Sequence, residues 1–256
     1  ASPKYLAPSR SIASASTVEM DVFSQQAAAF LQGGKAAEAF DLSRELMPVA
    51  RLTYGQYMLL AHPSVKVERL VDFVGQAKTR ASPFNYSSAG IGSPSHLAME
   101  LLRLRAGLTF NHVPYKGGAP ATAALLGGEV QTHFTNLVLA LPHVKAGRLK
   151  ALGISGPKRV ALAPEVPTIA DAVPLPGYEV DIWQGFFGPA RMPGPIVARL
   201  NRDIVATLNA PDVKEQMLAA GVEPRPSTPD ELAKVIEREL VTWARVVKEA
   251  NVKTIQ

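Results

Sequence analysis

The stretch of this chain best suited to chemistry is Ser87-Ser88-Ala89-Gly90-Ile91-Gly92-Ser93-Pro94-Ser95-His96. Gly90 and Gly92 let the backbone turn sharply and come close to a ligand. Ser93 is placed to cap a helix whose first amides carry positive partial charge. The residues support two readings, an anion-binding loop at a helix start or a plain strand-to-helix turn closed by an N-cap serine. A dinucleotide loop fits less well, because Ser95 stands where the third glycine of G-x-G-x-x-G belongs and no acidic residue follows at the usual distance. No Lys or Arg lies within Ser87 to Ser95. An anion there would be held by backbone amides, serine hydroxyls and water rather than by a salt bridge.

Other chemistry is poorly represented. The chain has no G-x-S-x-G elbow, no G-x-x-x-x-G-K-[ST] loop and no H-E-x-x-H pair. It has no cysteine, which removes thiolate nucleophiles and cysteine-based metal sites. His62, His96, His112, His133 and His143 are spread without metal-ligand spacing and read as core or surface residues. Ser93 and His96, three apart at one helix start, are near enough to form a nucleophile–base pair, but no acid is evident to orient the histidine, and capping already accounts for Ser93. Trp183, just ahead of Gly185-Phe186-Phe187, reads as a ligand-facing platform or a core anchor. No catalytic residue, metal ligand or cofactor is assigned.

The elements around the loop follow from periodicity. Residues 1 to 40 are rich in Ala and Ser, and Val18, Phe23, Ala27, Phe30 and Leu31 fall on one helical face. Pro48 to Leu52 and Tyr57 to Ala61 read as two short strands, followed by a helix with Leu70, Phe73, Val74 and Ala77 on its inner face. From Phe84 strand and helix patterns alternate. The predicted strands are Tyr86–Ala89, Phe110–Val113, Val130–Phe134 and Leu149–Ile154, with helices between them closed by Gly107, Gly127-Gly128 and Gly147. Such alternation predicts a mainly parallel sheet covered on both faces. The proline-rich residues 155 to 195 read as a crossing stretch. Two helices end the chain, one with Pro195 in its first turn and one opened by the capping box Thr228-Pro229-Asp230-Glu231, with Leu232, Ile236, Leu240, Trp243 and Val247 as its buried stripe.

Composition sets the class. With 256 residues, 47% hydrophobic and 19% charged, the chain is long enough to bury a sizeable core in one large domain or two lobes. Its longest apolar runs fall far short of the ~20 residues of a membrane-spanning helix. No basic segment followed by an apolar one opens it, so a signal peptide is not expected within this chain. The net charge of +5 is dispersed, with no more than two adjacent Lys or Arg. That pattern fits a small anionic ligand better than nucleic acid, which is not expected as a partner.

As an ordered set, Asn85-Tyr86-Ser87-Ser88-Ala89-Gly90 to His96-Leu97, His112-Val113-Pro114-Tyr115-Lys116-Gly117, Leu125-Leu126-Gly127-Gly128-Glu129-Val130-Gln131, Phe134-Thr135-Asn136, Leu141-Pro142-His143-Val144-Lys145-Ala146-Gly147 and Glu165-Val166-Pro167-Thr168-Ile169 resemble the Bug-type substrate-binding receptors of tripartite tricarboxylate transporters. The resemblance runs from about residue 40 to residue 250. It implies an α/β, two-lobed periplasmic-binding-protein-like (Venus-flytrap) architecture, with residues 1–83 plus 184–256 in one lobe and 84–183 in the other. It also implies a periplasmic, non-enzymatic protein that closes on a small organic acid and passes it to a membrane permease, or one repurposed to serve a sensor or another protein partner. Carried over by position, Ser88, Ala89, Gly90, Gly92 and Ser93 form a carboxylate loop, with Thr135 and Asn136 lining the cleft.

Two departures stand out. Thr135 occupies a position where the family has an acidic or amide residue. Nothing in residues 1–40 matches the proline- and glycine-rich opening loop of such receptors, so this segment reads either as a shortened opening or as a rebuilt one, with Ser9, Arg10 and Ser11 as candidate replacements. Replacing Gly92 by valine is expected to abolish carboxylate binding. Calorimetry showing the variant binding the same acids as the parent would remove Gly92 from the site.

Overall fold

The computed structural model describes residues 16–19, for which only the backbone is considered, 45–219 and 222–252. Its central element is β2 (Leu46–Ala61), 16 residues long. The sequence predicts two strands here. The structure makes one of them, because the intervening Thr53 to Gln56 keep pairing, opposite Gln184, Trp183, Ile182 and Asp181. Register shifts at Pro48/Ala50 and Arg51/Thr53 bend the strand, as expected of bulges beside a proline that lacks an N–H.

Between Gln56 and Tyr57, β2 changes sheet. Its first part lies in a sheet of order β1-β7-β2-β8, formed with β1 (Ser16–Glu19), β7 (Asp181–Pro189) and the two-residue β8 (Glu223–Pro224), every pair antiparallel. Its last part lies in a second sheet, between β5 (Thr132–Asn136) and β6 (Lys150–Ile154), antiparallel to both. That sheet continues from β5 to β3 (Phe84–Ser88) and β4 (Phe110–Pro114) through parallel ladders. The expected parallel alternation is therefore found in β3, β4, β5 and β6, which share one direction, while β2 runs against its neighbours. Parallel strands need long crossovers, and the helices of residues 84 to 154 supply them. Val18, read from periodicity as part of a helical face, lies instead in β1 opposite Gly185, since pairing with β7 outweighs a weak local pattern. Phe23, Ala27, Phe30 and Leu31, like Ser9, Arg10 and Ser11, fall outside the described residues.

Helices cover both faces of the second sheet. On one side α1 (Leu70–Thr79) and α2 (Pro94–Ala106) place Leu70, Phe73, Leu97, Leu101 and Leu102 in a core with Leu59, Tyr86 and Phe134. On the other, α3 (Gly118–Leu126) and α4 (Leu137–Lys145) bring Leu125, Leu137 and Ala140 against Met58, Leu60 and Ile154. Strand residues alternate between faces, so Leu59 and Leu60 serve opposite cores. The proline-rich crossing carries only the single turn α5 (Ile169–Ala172) before β7. Two further helices, α6 (Gly194–Asn209) and α7 (Pro211–Ala219), precede the last, α8 (Pro229–Glu249). The expected capping box opens α8: Thr228 Oγ1 accepts from the Glu231 amide at 3.2 Å, and the Thr228 amide donates to Glu231 at 2.8 Å.

Over its 21 residues α8 touches both cores. Leu232 and Ile236 pack with Leu46, Trp183 and Phe187 on the first sheet, whereas Trp243, Val246 and Val247 enter the α1–α2 side of the second. Trp243→Ala is expected to lower unfolding stability by about 3–5 kcal/mol in a denaturant titration, through the transfer and cavity cost of a buried indole. Val241→Ala, on the exposed face of the same helix, should stay within about 0.5 kcal/mol of the parent. Equal effects would show that α8 is not seated as described.

Candidate functional site

A cleft of about 260 Å3 lies where the two sheets meet. Thr53 to Tyr57 of β2 and Ile182 to Gln184 of β7 form one wall, with Val222 at its edge. Ala89 and Pro94, at the end of β3 and the start of α2, and Asn136, Leu137 and Val138, at the start of α4, form the other. This is the position expected for a ligand in an α/β sheet, outside the carboxyl ends of the strands where connections depart to opposite faces. No Lys, Arg, Asp or Glu is among the lining residues.

Positive potential comes from the helix starts instead. The first amides of a helix have no partner within it. On α4, Asn136 Oδ1 accepts from the Leu139 amide at 2.9 Å, which leaves the amides of Leu137 and Val138 without a helix partner, and both residues line the cleft. On α2, Ser93 Oγ accepts from the His96 amide at 3.4 Å and Pro94 has no N–H.

The Ser88–His96 loop is tied down from within. The Ala89 amide donates to Ser95 Oγ (3.0 Å), Gly90 to Ser88 Oγ (3.2 Å), Ser93 to the Gly90 carbonyl (3.2 Å) and Gly92 to His96 Nδ1 (3.0 Å). Gly90 and Gly92 have φ of 139° and 77°, which favour glycine. Beneath the loop the His96 ring stacks on His112 at 4.0 Å, and His112 stacks on Tyr86 at 4.7 Å. His112 Nε2 lies 2.6 Å from Ser88 Oγ, and the Tyr86 hydroxyl donates to Glu100 at 2.7 Å. Burial, reinforced by Arg103, pushes His96 down to about 4; burial, reinforced by His96, pushes His112 down to about 3. Both rings are thus neutral at pH 7, which lets His96 Nδ1 accept the Gly92 proton. Among the described residues no cluster of three or more His, Asp or Glu is arranged to hold a metal.

Behind the β2–β7 wall sits a group of buried acids. The Tyr54 hydroxyl donates to Asp181 Oδ1 at 2.7 Å. Burial pushes Asp181 up to about 6, opposed by that hydrogen bond and aided by Glu179. Glu239 of α8 is pushed up to about 7, chiefly by burial, with the Trp183 side chain pulling it back and Asp181 adding to the rise.

Of the residues expected at the site, Ala89, Asn136 and Trp183 line the cleft. Trp183 does so from the core, being 1% exposed and packed with Phe187 and Leu232. Ser88, Gly90, Gly92 and Ser93 are not lining residues; their polar atoms are committed to holding the loop. Thr135 is buried in β5 opposite Met58. His96 is likewise buried under the loop, and its ring contacts the Gly92 amide rather than Ser93 Oγ, so the two do not form a nucleophile–base pair. Sequence reading missed the β2 wall, Tyr54, Gly55 and Gln56. The polar-aromatic run Thr53-Tyr54-Gly55-Gln56-Tyr57 was the available signal, hidden by treating the segment as a break between strands.

Residues 26–252 match the family described as Tripartite tricarboxylate transporter family receptor. Protein BugT of Bordetella pertussis is 33% identical over 214 residues, covering 84% of this chain and 65% of that protein. The protein of the tcbD-tcbE intergenic region of Pseudomonas sp. (strain P51) is 31% identical over 217 residues, covering 85% and 65%. The chain thus spans about 65% of the length of these two relatives. Among solved structures, MatC from Rhodopseudomonas palustris with bound malate superposes with a TM-score of 0.76 at 31% identity, covering 91% of this chain and 78% of that one. R. palustris Rpa4515 with adipate gives 0.76 at 29%, covering 85% and 72%. The periplasmic binding protein BugD gives 0.71 at 28%, covering 81% and 70%. The fold is thus that of the periplasmic binding proteins, and the matched family is described as one of receptors.

The buried acids generate a pH prediction. Glu239 titrates near 4.5 when unfolded and near 7 when folded, so the folded state binds the extra proton in between and loses stability as pH rises through that window. His96 and His112, depressed on folding, act oppositely and lose stability as pH falls below about 6.5. The difference between Glu239→Gln and the parent isolates the acid. In thermal unfolding, the stability of the variant relative to the parent is expected to grow between pH 5 and pH 8. A difference independent of pH would show that Glu239 is not held in a low-dielectric site.

Proposed function

The chain belongs to the tripartite tricarboxylate transporter receptor family, and from that premise we propose that it captures a small mono- or dicarboxylate in the cleft between its two sheets and presents it to a membrane permease from the periplasm. The observation that carries this reading is the first turn of α4, whose Leu137 and Val138 face a cleft lined by no cation. An anion there is stabilised by the helix terminus, and charge-assisted bonds from backbone N–H groups do the work of a salt bridge. The adipate and malate of the two R. palustris structures support the same ligand class.

In this reading Ala89 and Asn136 border the ligand, Trp183 backs the opposite wall, and Thr135 anchors β5. Ser88, Gly90, Gly92 and Ser93 act indirectly, by fixing where Ala89 and the α2 start lie. The two lobes divide where β2 changes sheet, between Gln56 and Tyr57, and where the chain returns at Asp181. A boundary at residue 83 suits the packing less well, because α1 shares a core with β3 and α2.

A thermal-shift titration with malate and adipate tests the proposal. One of these acids at a hundred times its Kd should stabilise the protein by about 2.7 kcal/mol, saturably, and the corresponding diester should not. Ala89→Trp, which fills the cleft from a half-buried position, should remove the shift while leaving the unliganded protein folded. The absence of a shift with every carboxylate at millimolar concentration would overturn the reading.

A further inference from the structure

One buried polar group of a residue that lines the cleft lacks a hydrogen-bond partner among the described residues. Gln56 is 7% exposed and lines both the cleft and an adjoining cavity of about 490 Å3, yet its Oε1 is buried without a hydrogen-bond partner among the described residues. The orientation of its amide follows from the neighbours. The Tyr54 hydroxyl has one proton, which it gives to Asp181 at 2.7 Å, so toward Gln56 it can only accept. Gln56 Nε2 is accordingly turned to it, in a long contact of 3.5 Å, and the carbonyl oxygen is left over. Gly156 packs against this amide so closely that a Cβ there would collide with its carbon and both polar atoms. Gly156 therefore closes one side of the amide.

A buried carbonyl oxygen without a donor carries a desolvation penalty that a ligand proton can relieve. The other wall has the opposite character, since the α4 start presents amide donors. We propose that Gln56 makes the cleft selective for organic acids that carry a hydroxyl or ammonium donor beside the bound carboxylate. The inference rests on the carboxylate-binding reading and narrows its substrate class. Analogues that lack the donor leave Gln56 Oε1 buried and unpaired, and sites built around such a group discriminate strongly against them.

Isothermal titration with malate, aspartate and succinate, which share a four-carbon dicarboxylate skeleton, tests this in the unmodified protein. Malate or aspartate should bind at least tenfold more tightly than succinate. Gln56→Met keeps an unbranched side chain of similar length without the carbonyl, and should bring the ratio to within about threefold by weakening the donor-bearing ligand. Tyr54→Phe, which frees the amide to turn, should shrink the ratio as well, and supplies the test if the methionine variant does not fold. Equal affinity for malate, aspartate and succinate in the parent, or a ratio unchanged in the variants, overturns the role of Gln56 while leaving carboxylate capture standing. Binding of none of the three, nor of adipate, overturns both.

Discussion

The structure depends on one strand belonging to two sheets. Backbone pairing obliges each residue of β2 to find partners, and these change from β7 to β5 and β6 across a single peptide, Gln56–Tyr57. Ser155 secures that crossing. Its hydroxyl accepts from the Tyr57 amide at 2.8 Å and donates to the Val180 carbonyl at 2.6 Å, while its own amide and carbonyl bond Tyr57 and Val180 at 2.9 Å. The two chain crossings are thereby tied to one another by a buried serine. Whatever lies beside the crossing faces both sheets, which is why the cleft forms there and why Tyr54, Gly55 and Gln56 line it.

The loop opposite is rigid for a related reason. A turn with two glycines is entropically costly to hold in one shape. Here the amides of Ala89, Gly90 and Gly92 are answered by side chains of the turn itself or of α2, that of Ser93 by the Gly90 carbonyl, and the neutral His96–His112 stack supports the turn from below. Neutrality matters, since a protonated His96 would present an N–H to the Gly92 N–H. Desolvation by the surrounding core thus maintains the acceptor that fixes the loop. The polarity of the cleft follows from the same economy of bonds, with donors left over, among the described residues, at the start of α4 and an acceptor left over at Gln56.

Much of this was legible in the order of residues. The alternation after Phe84, the Ser93 cap, the Gly107 stop and the Thr228–Glu231 capping box are local features, governed by contacts within a few residues, and each is found where its pattern predicted. The family resemblance rested on runs of the same kind, and two of the residues it implied for the cleft, Ala89 and Asn136, line the pocket where the two sheets meet. The site residues were legible only in part. A sequence shows that Ser88, Gly92 and Ser93 belong to a special turn, but not whether their polar atoms point toward a ligand or back into the protein.

What only the tertiary structure decided lies in contacts distant along the chain. Joining Pro48–Leu52 and Tyr57–Ala61 into one strand required β7, more than 120 residues away, to pair with the bridge between them. Turning His96 and His112 into neutral supports required their burial beneath the loop, stacked on one another and on Tyr86. The Gln56 carbonyl is left without a donor among the described residues because Asp181 takes the Tyr54 proton and Gly156 closes one side of the amide. Local propensity and capping act through neighbours in sequence and can be read there. Burial, protonation and the direction of a hydrogen bond depend on what the fold brings alongside, and they are settled only once the two sheets meet.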